Sequence, residues 1–424
     1  MNVREFLKAG HSPSLVCAFL YFDISFMVWV LLGALANSIV PDFDLNETQR
    51  GMMLALPLLG GALLRLVLGG MTDHIGARKT GLVGLALTMI PLLLGWLWVD
   101  SYEKILIVGV LLGVAGASFA AALPLASRWY PPQYQGLAMG IAGAGNSGTA
   151  LATLLAPMLA REFGWHAVFG LALMPIALTL VFFFVYAKDS PQQPAPKSLR
   201  DYGKVLGIMD TWWFCIFYSV TFGGFVGLAV FLNSFFNVQY GQSPVVAGMF
   251  ATACVIAGSL LRPIGGYLAD RFGGIRMLIV LYVGVAATMV ALGVFPNSLY
   301  VGATLMFLCM GFLGMGNGSV FQLVPLRFKE EIGVITGIVG AAGGIGGFFL
   351  PSILGYLKDQ TGSFSGGFSA FGATSLICAG TLVLVSRSWE GVFVGQGGKA
   401  VPKTPQSLAP PMLAPRPEPV EASA

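Results

Sequence analysis

The 424-residue sequence has little charge: aspartate, glutamate, lysine and arginine together make up 10% of it, against about 25% in a typical soluble domain. Histidine occurs three times and cysteine five times. The cysteines all fall in apolar stretches, so we expect neither a disulfide framework nor a metal cluster. The formal charge of +4 is small, and the scattered basic residues exclude a nucleic-acid-binding surface.

Apolar residues, in contrast, make up 56% of the chain. They form twelve runs of about 20 residues, the length that a helix needs to cross a hydrocarbon layer about 30 Å thick. We therefore predict an all-α polytopic membrane protein with twelve transmembrane helices. The predicted spans are 13–37, 48–71, 80–98, 105–126, 135–159, 166–187, 212–236, 245–268, 276–294, 299–324, 332–357 and 366–386.

The distribution of basic residues predicts the orientation in the membrane. Most of the 23 lysines and arginines fall on one side if the N-terminus is inside, and positively charged loops stay in the cytoplasm. The first apolar run is too long for a signal peptide and lacks a small-residue cleavage site. We expect a multi-pass protein of the cytoplasmic (inner) membrane with both termini in the cytoplasm.

The chain repeats itself at an interval of 197 residues, which indicates two six-helix halves related by a pseudo-twofold axis. The shift superimposes Arg65 on Arg262, Gly69 on Gly266, Asp73 on Asp270, Gly76 on Gly273, Gly136 on Gly333, Gly140 on Gly337 and Gly143 on Gly340. We predict an N-terminal half at 1–189, a cytoplasmic linker at 190–211, a C-terminal half at 212–388 and a disordered cytoplasmic tail at 389–424.

A short loop motif follows the second span and recurs after the eighth. Its copies run Gly69-Gly70-Met71-Thr72-Asp73-His74-Ile75-Gly76-Ala77-Arg78-Lys79 and Gly266-Tyr267-Leu268-Ala269-Asp270-Arg271-Phe272-Gly273-Gly274-Ile275-Arg276. They resemble the G-x-L-A-D-R-x-G-R motif of the major facilitator superfamily. The resemblance implies that two halves give alternating access to a site at the bilayer midplane, and that the motif takes part in the conformational change through Gly69, Asp73, Gly76, Gly266, Asp270 and Gly273.

Three ionisable residues lie well inside predicted spans: Asp23, Arg65 and Arg262. Burying each costs about 2.5–3.5 kcal/mol on insertion scales, so such residues are functional by default. Each arginine lies eight residues before its loop aspartate, about 12 Å along the helix, which brings both towards a central cavity. A guanidinium fork suits planar oxoanions, so nitrate, nitrite and carboxylates remain open. The alternative is that the arginines snorkel or bind helix-end carbonyls.

Two glycine-rich stretches resemble the paired nitrate signatures of the nitrate/nitrite porter family. They are Gly140-Ile141-Ala142-Gly143-Ala144-Gly145-Asn146-Ser147-Gly148 and Gly337-Ile338-Val339-Gly340-Ala341-Ala342-Gly343-Gly344-Ile345-Gly346-Gly347-Phe348-Phe349-Leu350-Pro351. In each half, small residues recur at every fourth position and leave one helix face bare enough for close packing. The first row is Gly136, Gly140, Ala144 and Gly148, and the second is Gly333, Gly337 and Ala341. Segments 116–119 and 218–223 are similar to those that line the family's pocket. The resemblance implies a substrate site made by Arg65, Arg262, Asn146, Phe119, Tyr218, Phe222, Gly143 and Gly340.

We therefore predict a monomeric secondary transporter for nitrate, with nitrite as a further candidate substrate, without a cofactor, in which Asp23 couples proton entry to nitrate uptake. The alternatives are a nitrate/nitrite antiporter, a carrier of carboxylates such as oxalate or formate, and a transporter-like anion sensor. A structural pair could equally lock the Asp23 carboxylate. An enzyme is not expected, because the three histidines, His11, His74 and His166, lie in terminal or loop regions and one buried aspartate cannot form a carboxylate pair.

Overall fold

The computed structural model describes residues 3–191, 199–295, 298–328 and 331–400. The described part is helical apart from turns, short 3-10 segments and one β-bridge between Glu390 and Val394. The helices are α1 (Val3–Ala9), α2 (Ser12–Trp29), α3 (Leu31–Asp42), α4 (Glu47–Ile75), α5 (Ala77–Leu97), α6 (Tyr102–Gly116), α7 (Phe119–Ser127), α8 (Pro132–Gly143), α9 (Gly148–Phe163), α10 (Trp165–Tyr186), α11 (Leu199–Leu206), α12 (Met209–Tyr240), α13 (Pro244–Phe272), α14 (Gly274–Val294), α15 (Leu299–Arg327), α16 (Ile332–Thr361) and α17 (Ser365–Trp389).

Twelve helical crossings make up the bundle in the described residues. Eleven helical stretches there are long and apolar enough to span a membrane, with α2–α3 and α6–α7 each counted as one. The twelfth crossing consists of α8 and α9, which are too short individually and are joined by the 3-10 turn Ala144–Ser147. The predicted twelve-helix architecture is confirmed.

The two halves repeat in their helix boundaries as well as in sequence. Helices α4 and α13 both have 29 residues, and α5 and α14 both have 21. A shift of 197 residues carries both ends of α4 onto α13 and both ends of α5 onto α14. The repeat breaks down in the first, fourth and fifth crossings, because α12, α15 and α16 are continuous helices whereas their counterparts are divided into α2 and α3, α6 and α7, and α8 and α9.

The predicted continuous span at 135–159 is therefore wrong in one respect. The crossing is interrupted at Ala144–Ser147, in a stretch where glycine weakens the helix by about 1 kcal/mol per residue relative to alanine. Nor does every glycine of the predicted row pack closely. A Cβ built on Gly148 would collide with the Asp23 carbonyl oxygen, but one built on Gly140 would meet nothing within 4 Å.

The loop motifs form tight glycine turns between consecutive helices. Gly76 has φ +91° and Gly273 has φ +101°, a backbone conformation that glycine adopts without steric cost. In the first copy, Asp73 forms a salt bridge with Arg128, in which Arg128 Nη2 lies 2.8 Å from Asp73 Oδ1. In the second copy, Asp270 interacts with the side chain of Gln322. The end of the bundle that carries these turns is called here the loop-motif face.

The halves touch each other most closely at the opposite face. Asn37 Nδ2 donates to the Asn233 carbonyl at 3.0 Å, and Asn233 Nδ2 donates to the Ala34 carbonyl at 3.1 Å. The hydroxyls of Thr153 and Thr252 are 2.8 Å apart. These contacts join α3 to α12 and α9 to α13, so they close the central path at that face.

Helices α4 and α16 illustrate how the path opens towards the loop-motif face. A Cβ built on Gly51 would stand 2.5 Å from the Pro351 carbonyl oxygen, and one built on Gly344 would stand 2.9 Å from Ala62 Cβ. Beyond that level, a Cβ on Gly337 would meet nothing within 4 Å. The two helices therefore pack from the opposite face to mid-depth and then diverge.

Residues at the start of the predicted tail are folded rather than disordered. Trp389 and Val394 are buried, and Trp389 Nε1 donates to Asp210 Oδ1 at 2.8 Å. The 3-10 segment Gln396–Gly398 packs on the Gly273 turn. The predicted disorder is therefore not found in residues 389–400, because burial of the Trp389 indole and its hydrogen bond to Asp210 stabilise the segment. Residues 401–424 lie outside the described residues.

Candidate functional site

Arg65 lies at mid-depth of α4 with 2% of its surface exposed. Its Nη1 donates to the Gly340 carbonyl at 2.6 Å and its Nη2 donates to the Gly116 carbonyl at 2.9 Å. Its Nε has no partner. Because Gly340 belongs to α16, this single guanidinium links the two halves at the level where α4 and α16 begin to diverge.

A break in the fourth crossing explains why the Gly116 carbonyl can accept this bond. Between α6 and α7 the backbone keeps right-handed helical dihedral angles, but the α-helical hydrogen bonding is interrupted, and the Ala120 N–H donates to Ala117 instead of Gly116. The Gly116 oxygen is thereby free for the guanidinium. Carbonyls at helix ends lack an intrahelical partner and are satisfied from outside the helix.

Aromatic rings enclose the Arg65 guanidinium on several sides. Its Cζ lies 5.3 Å from the ring centroid of Phe119 and 5.6 Å from that of Phe222. The ring of Trp29 lies 6.0 Å away. These distances are within the range of cation–π attraction, which stabilises a buried cation without neutralising it.

Arg262 reaches the same region from the second half. It interacts electrostatically with Arg65, and the Tyr218 hydroxyl is within hydrogen-bonding reach of its guanidinium. Its Nη1 is buried without a partner. Among the described residues, neither Arg65 nor Arg262 forms an ion pair with a carboxylate. Two interacting cations without an acidic partner make this region strongly favourable for an anion.

Tyr218 and Phe222 form a parallel stack on α12, with ring centroids 5.1 Å apart and an interplanar angle of 3°. Phe321 packs edge-on against Tyr218 at 5.0 Å. The stack lies against Gly343, where a Cβ would stand 2.7 Å from Tyr218 Cδ1 and 2.9 Å from Phe222 Cδ1. This close approach explains why the second repeat has glycine where the first has Asn146.

Asn146 lies in the 3-10 turn of the fifth crossing, with 2% of its surface exposed and its Oδ1 without a partner. The turn contacts α13, the helix of Arg262. The two signature glycines differ: a Cβ on Gly340 would stand 3.3 Å from Arg65 Nη1, whereas one on Gly143 would meet nothing within 4 Å. The pseudo-twofold axis therefore does not relate the surroundings of the two arginines.

Asp23 is buried with 7% of its surface exposed, and it faces the fifth crossing. Its Oδ1 accepts from Ser147 Oγ at 2.6 Å, and its carboxylate also accepts from the backbone N–H of Gly148. No arginine or lysine interacts with it among the described residues. Asp23 is thus held by uncharged donors at the N-terminus of α9.

Sequence reasoning missed Trp29 and the Gly116 carbonyl as parts of the site. Tryptophan prefers the membrane interfaces, so one in the middle of the first crossing was an available signal. Trp29 Nε1 donates to the Pro57 carbonyl at 2.7 Å, which fixes the ring beside Arg65. Nothing in the sequence indicated the Gly116 carbonyl, because this oxygen can accept a hydrogen bond from Arg65 only where the helix is interrupted between α6 and α7.

Comparison with known proteins identifies the family. The sequence profile of the Major Facilitator Superfamily matches residues 17–351. The chain belongs to this superfamily. It is 33% identical over 369 residues to the nitrite extrusion protein of Bacillus subtilis (strain 168), covering 86% of this chain and 91% of that protein.

A second relative and a solved structure agree with this assignment. The chain is 32% identical over 385 residues to the probable nitrate/nitrite transporter NarK2 of Mycobacterium tuberculosis, covering 89% of this chain and 97% of that protein. The fold is similar to that of the xylose transporter XylE from E. coli, with a TM-score of 0.70, 14% identity, and coverage of 89% and 99% of the two chains. Within the superfamily, the chain belongs to the nitrate/nitrite porter family, which consists of multi-pass membrane transporters, as predicted, and not of enzymes.

Proposed function

We propose that this major facilitator transports nitrate, and also nitrite, across the cytoplasmic membrane as a monomer by alternating access. The pair of interacting arginines from opposite halves, without a carboxylate partner among the described residues, carries the proposal. The loop-motif face and both termini lie in the cytoplasm, in accordance with the excess of basic residues there.

The donors around the arginines suit a small flat anion. Arg65 Nε and Arg262 Nη1 are buried without partners, and they can donate to the oxygens of a planar ion. The rings of Phe119 and Phe222 flank the guanidinium at 5.3 and 5.6 Å, which favours nitrate over bulkier dicarboxylates. The proposed substrate-binding residues are Arg65, Arg262, Asn146, Phe119, Tyr218, Phe222, Gly143 and Gly340.

The relatives' names support nitrate and nitrite as substrates. The glycine turns and their aspartates, at Gly69, Asp73, Gly76, Gly266, Asp270 and Gly273, act in the exchange between conformations. The salt bridge from Arg128 to Asp73 supports this role for the first copy.

Transport is coupled to proton entry through Asp23. Its carboxylate is buried and is held by a hydroxyl and an amide rather than by a cation. A carboxylate without a cationic partner can accept a proton and become neutral, whereas one paired with arginine stays charged. The second candidate is nitrate/nitrite exchange, which the name of the Bacillus subtilis relative favours.

Uptake by purified protein in proteoliposomes tests the proposal. Nitrate, nitrite, formate and oxalate are compared with and without an imposed pH gradient. We expect Arg65→Lys and Arg262→Lys each to reduce nitrate uptake by at least tenfold, because lysine lacks the planar fork. Arg161→Lys, at an arginine that is exposed and paired with Glu162, is the matched control and should keep full uptake.

Several results would contradict the proposal. Full nitrate uptake by both lysine variants would show that the arginine pair does not bind the anion. Nitrate binding without counterflow of labelled nitrate would identify a sensor, and preference for oxalate or formate would identify an organic-anion carrier. Uptake that requires internal nitrite and ignores the pH gradient would identify an antiporter.

A further inference from the structure

The interrupted fifth crossing is interlocked with α2 around Asp23. A Cβ built on Gly145 would stand 2.6 Å from Phe22 Cδ1 and 2.9 Å from the Asp23 nitrogen, and one built on Gly148 would collide with the Asp23 carbonyl oxygen. Backbone therefore packs directly on backbone here. A movement of the 3-10 turn therefore displaces the adjoining backbone of α2 directly, because close-packed interiors transmit strain.

One side-chain hydrogen bond holds this junction. Ser147 Oγ donates to Asp23 Oδ1 at 2.6 Å, and a hydrogen bond to a carboxylate is stronger when the carboxylate is charged. Asn146, the residue before Ser147, contributes a buried amide whose Oδ1 has no partner. The 3-10 turn that carries both residues contacts α13, on which Arg262 lies. The hydrogen bond to Asp23 therefore fixes the position of the Asn146 amide.

Other charged groups on the packed helices are engaged elsewhere. Helix α4 contributes Arg65, which donates to Gly116 and Gly340. The remaining charged or titratable residues of these helices lie near helix ends: Asp42 on α3, Glu47, Arg50, Asp73 and His74 on α4, Arg78 and Lys79 on α5, Glu103 and Lys104 on α6, and Arg161 and Glu162 on α9. His166 of α10 contacts the Val99 carbonyl, and the Tyr21 hydroxyl of α2 lies against Gly84 of α5. Ser147 and Gly148 are therefore the contacts that respond to the charge of Asp23.

We propose that Ser147 is a positioning residue that links the protonation of Asp23 to the position of Asn146, and hence to nitrate binding. The inference rests on the proposed function. With Asp23 ionised, the Ser147 hydroxyl donates to the carboxylate and holds the turn. When a proton from solvent forms an O–H bond on Asp23, a weaker neutral hydrogen bond replaces the charge-assisted one, and the turn is released towards the cavity.

Linkage makes this relation reciprocal. The negative carboxylate of Asp23, which is hydrogen-bonded to the turn that carries Asn146, disfavours an incoming anion, and neutralising it removes that repulsion. Protonation of Asp23 therefore increases affinity for nitrate, and bound nitrate increases the affinity of Asp23 for its proton by the same factor. The proton and the anion then enter together.

Nitrate uptake as a function of pH, measured with purified full-length variants in proteoliposomes, tests the inference. Removing the donor with Ser147→Ala should shift the pH of half-maximal uptake upwards by about one unit, because the hydroxyl stabilises the charged carboxylate and its loss makes Asp23 easier to protonate. Ser147→Thr retains the hydroxyl and should restore the original midpoint. Ser25→Ala, which removes a buried hydroxyl without a partner, is the matched control.

A second readout separates positioning from general damage. Nitrate-driven proton uptake, followed with a pH indicator inside the liposomes, should persist in Ser147→Ala with a KM for nitrate below that of the wild type, because the turn is no longer held, and it should be absent in Asp23→Asn. An unchanged midpoint and KM in Ser147→Ala, in a wild type that transports nitrate with protons, would overturn the inference while leaving the proposed function intact. Nitrate uptake without proton movement in the wild type would also overturn it. Absence of nitrate transport in the wild type would instead refute the proposed function.

Discussion

Substituting Gly343 tests how closely the Tyr218–Phe222 stack must be positioned. A Cβ at Gly343 would stand 2.7 Å from Tyr218 Cδ1 and 2.9 Å from Phe222 Cδ1, about 1 Å short of the optimal carbon–carbon separation. Gly343→Ala must therefore displace the rings or separate α12 from α16. Overpacking of this kind costs about 1–3 kcal/mol.

The displaced Tyr218 ring carries its hydroxyl away from Arg262, with which it interacts. If half of that strain energy is present only in the nitrate-bound state, the KM for nitrate rises by about two- to twelvefold, since each 1.4 kcal/mol corresponds to a factor of ten. The assay is initial nitrate uptake by proteoliposomes together with calorimetric binding in detergent. Gly380→Ala is the control, because a Cβ there meets nothing within 4 Å. Wild-type affinity in Gly343→Ala would refute the role of the stack.

Three further substitutions probe the conformational change and the packing. Gly337→Val places its side chain in open space in this conformation, but on a helix surface that must pack when the loop-motif face closes. Nitrate binding should therefore persist while counterflow of labelled nitrate falls by about tenfold. Counterflow equal to that of the wild type would contradict this. Asp359→Asn weakens the acceptor of the hydrogen bonds from the Thr48 amide and hydroxyl and should loosen the contact between the halves at the opposite face. A cysteine introduced at Val230, which is buried in that contact, should then react several-fold faster with an external thiol reagent. Unchanged labelling would show that Asp359 does not hold the contact closed. In Gly116→Ala, the added Cβ would collide with the Trp29 indole, so both the thermal unfolding midpoint and the nitrate transport rate should fall. An unchanged unfolding midpoint would show that the indole ring can move aside.

Much of the site was predictable because burying charge in a membrane is costly. Arg65 and Arg262 could be identified from their positions within apolar spans and their repeat spacing. The residues that complete the arginine environment could not be identified in this way. Gly116 contributes a backbone oxygen, which has no sequence signature, and Trp29 is one of eight tryptophans. Their roles depend on where the fourth crossing breaks and how the first crossing packs.

The partner of Asp23 also depended on packing. The sequence indicated a titratable acid ten residues into the first predicted span, but left open whether it would face an arginine or a structural pair. Ser147 lies 124 residues away along the chain, and only the approach of α2 to the interrupted fifth crossing brings the two together. Contacts between distant segments follow from helix packing, which a single sequence does not specify.

The sequence by itself determined the number of crossings, the twofold repeat and the presence of two arginines within membrane spans, because hydrophobic length and the cost of charge act locally on each helix. Only the tertiary structure decided that the repeat-related arginines have different surroundings. Arg65 donates to carbonyls of both halves, whereas the Arg262 guanidinium lies within hydrogen-bonding reach of the Tyr218 hydroxyl. The physical reason is that the breaks in the fourth and fifth crossings have no counterpart in the tenth and eleventh, where α15 and α16 are continuous, so different backbone and side-chain groups can approach each guanidinium.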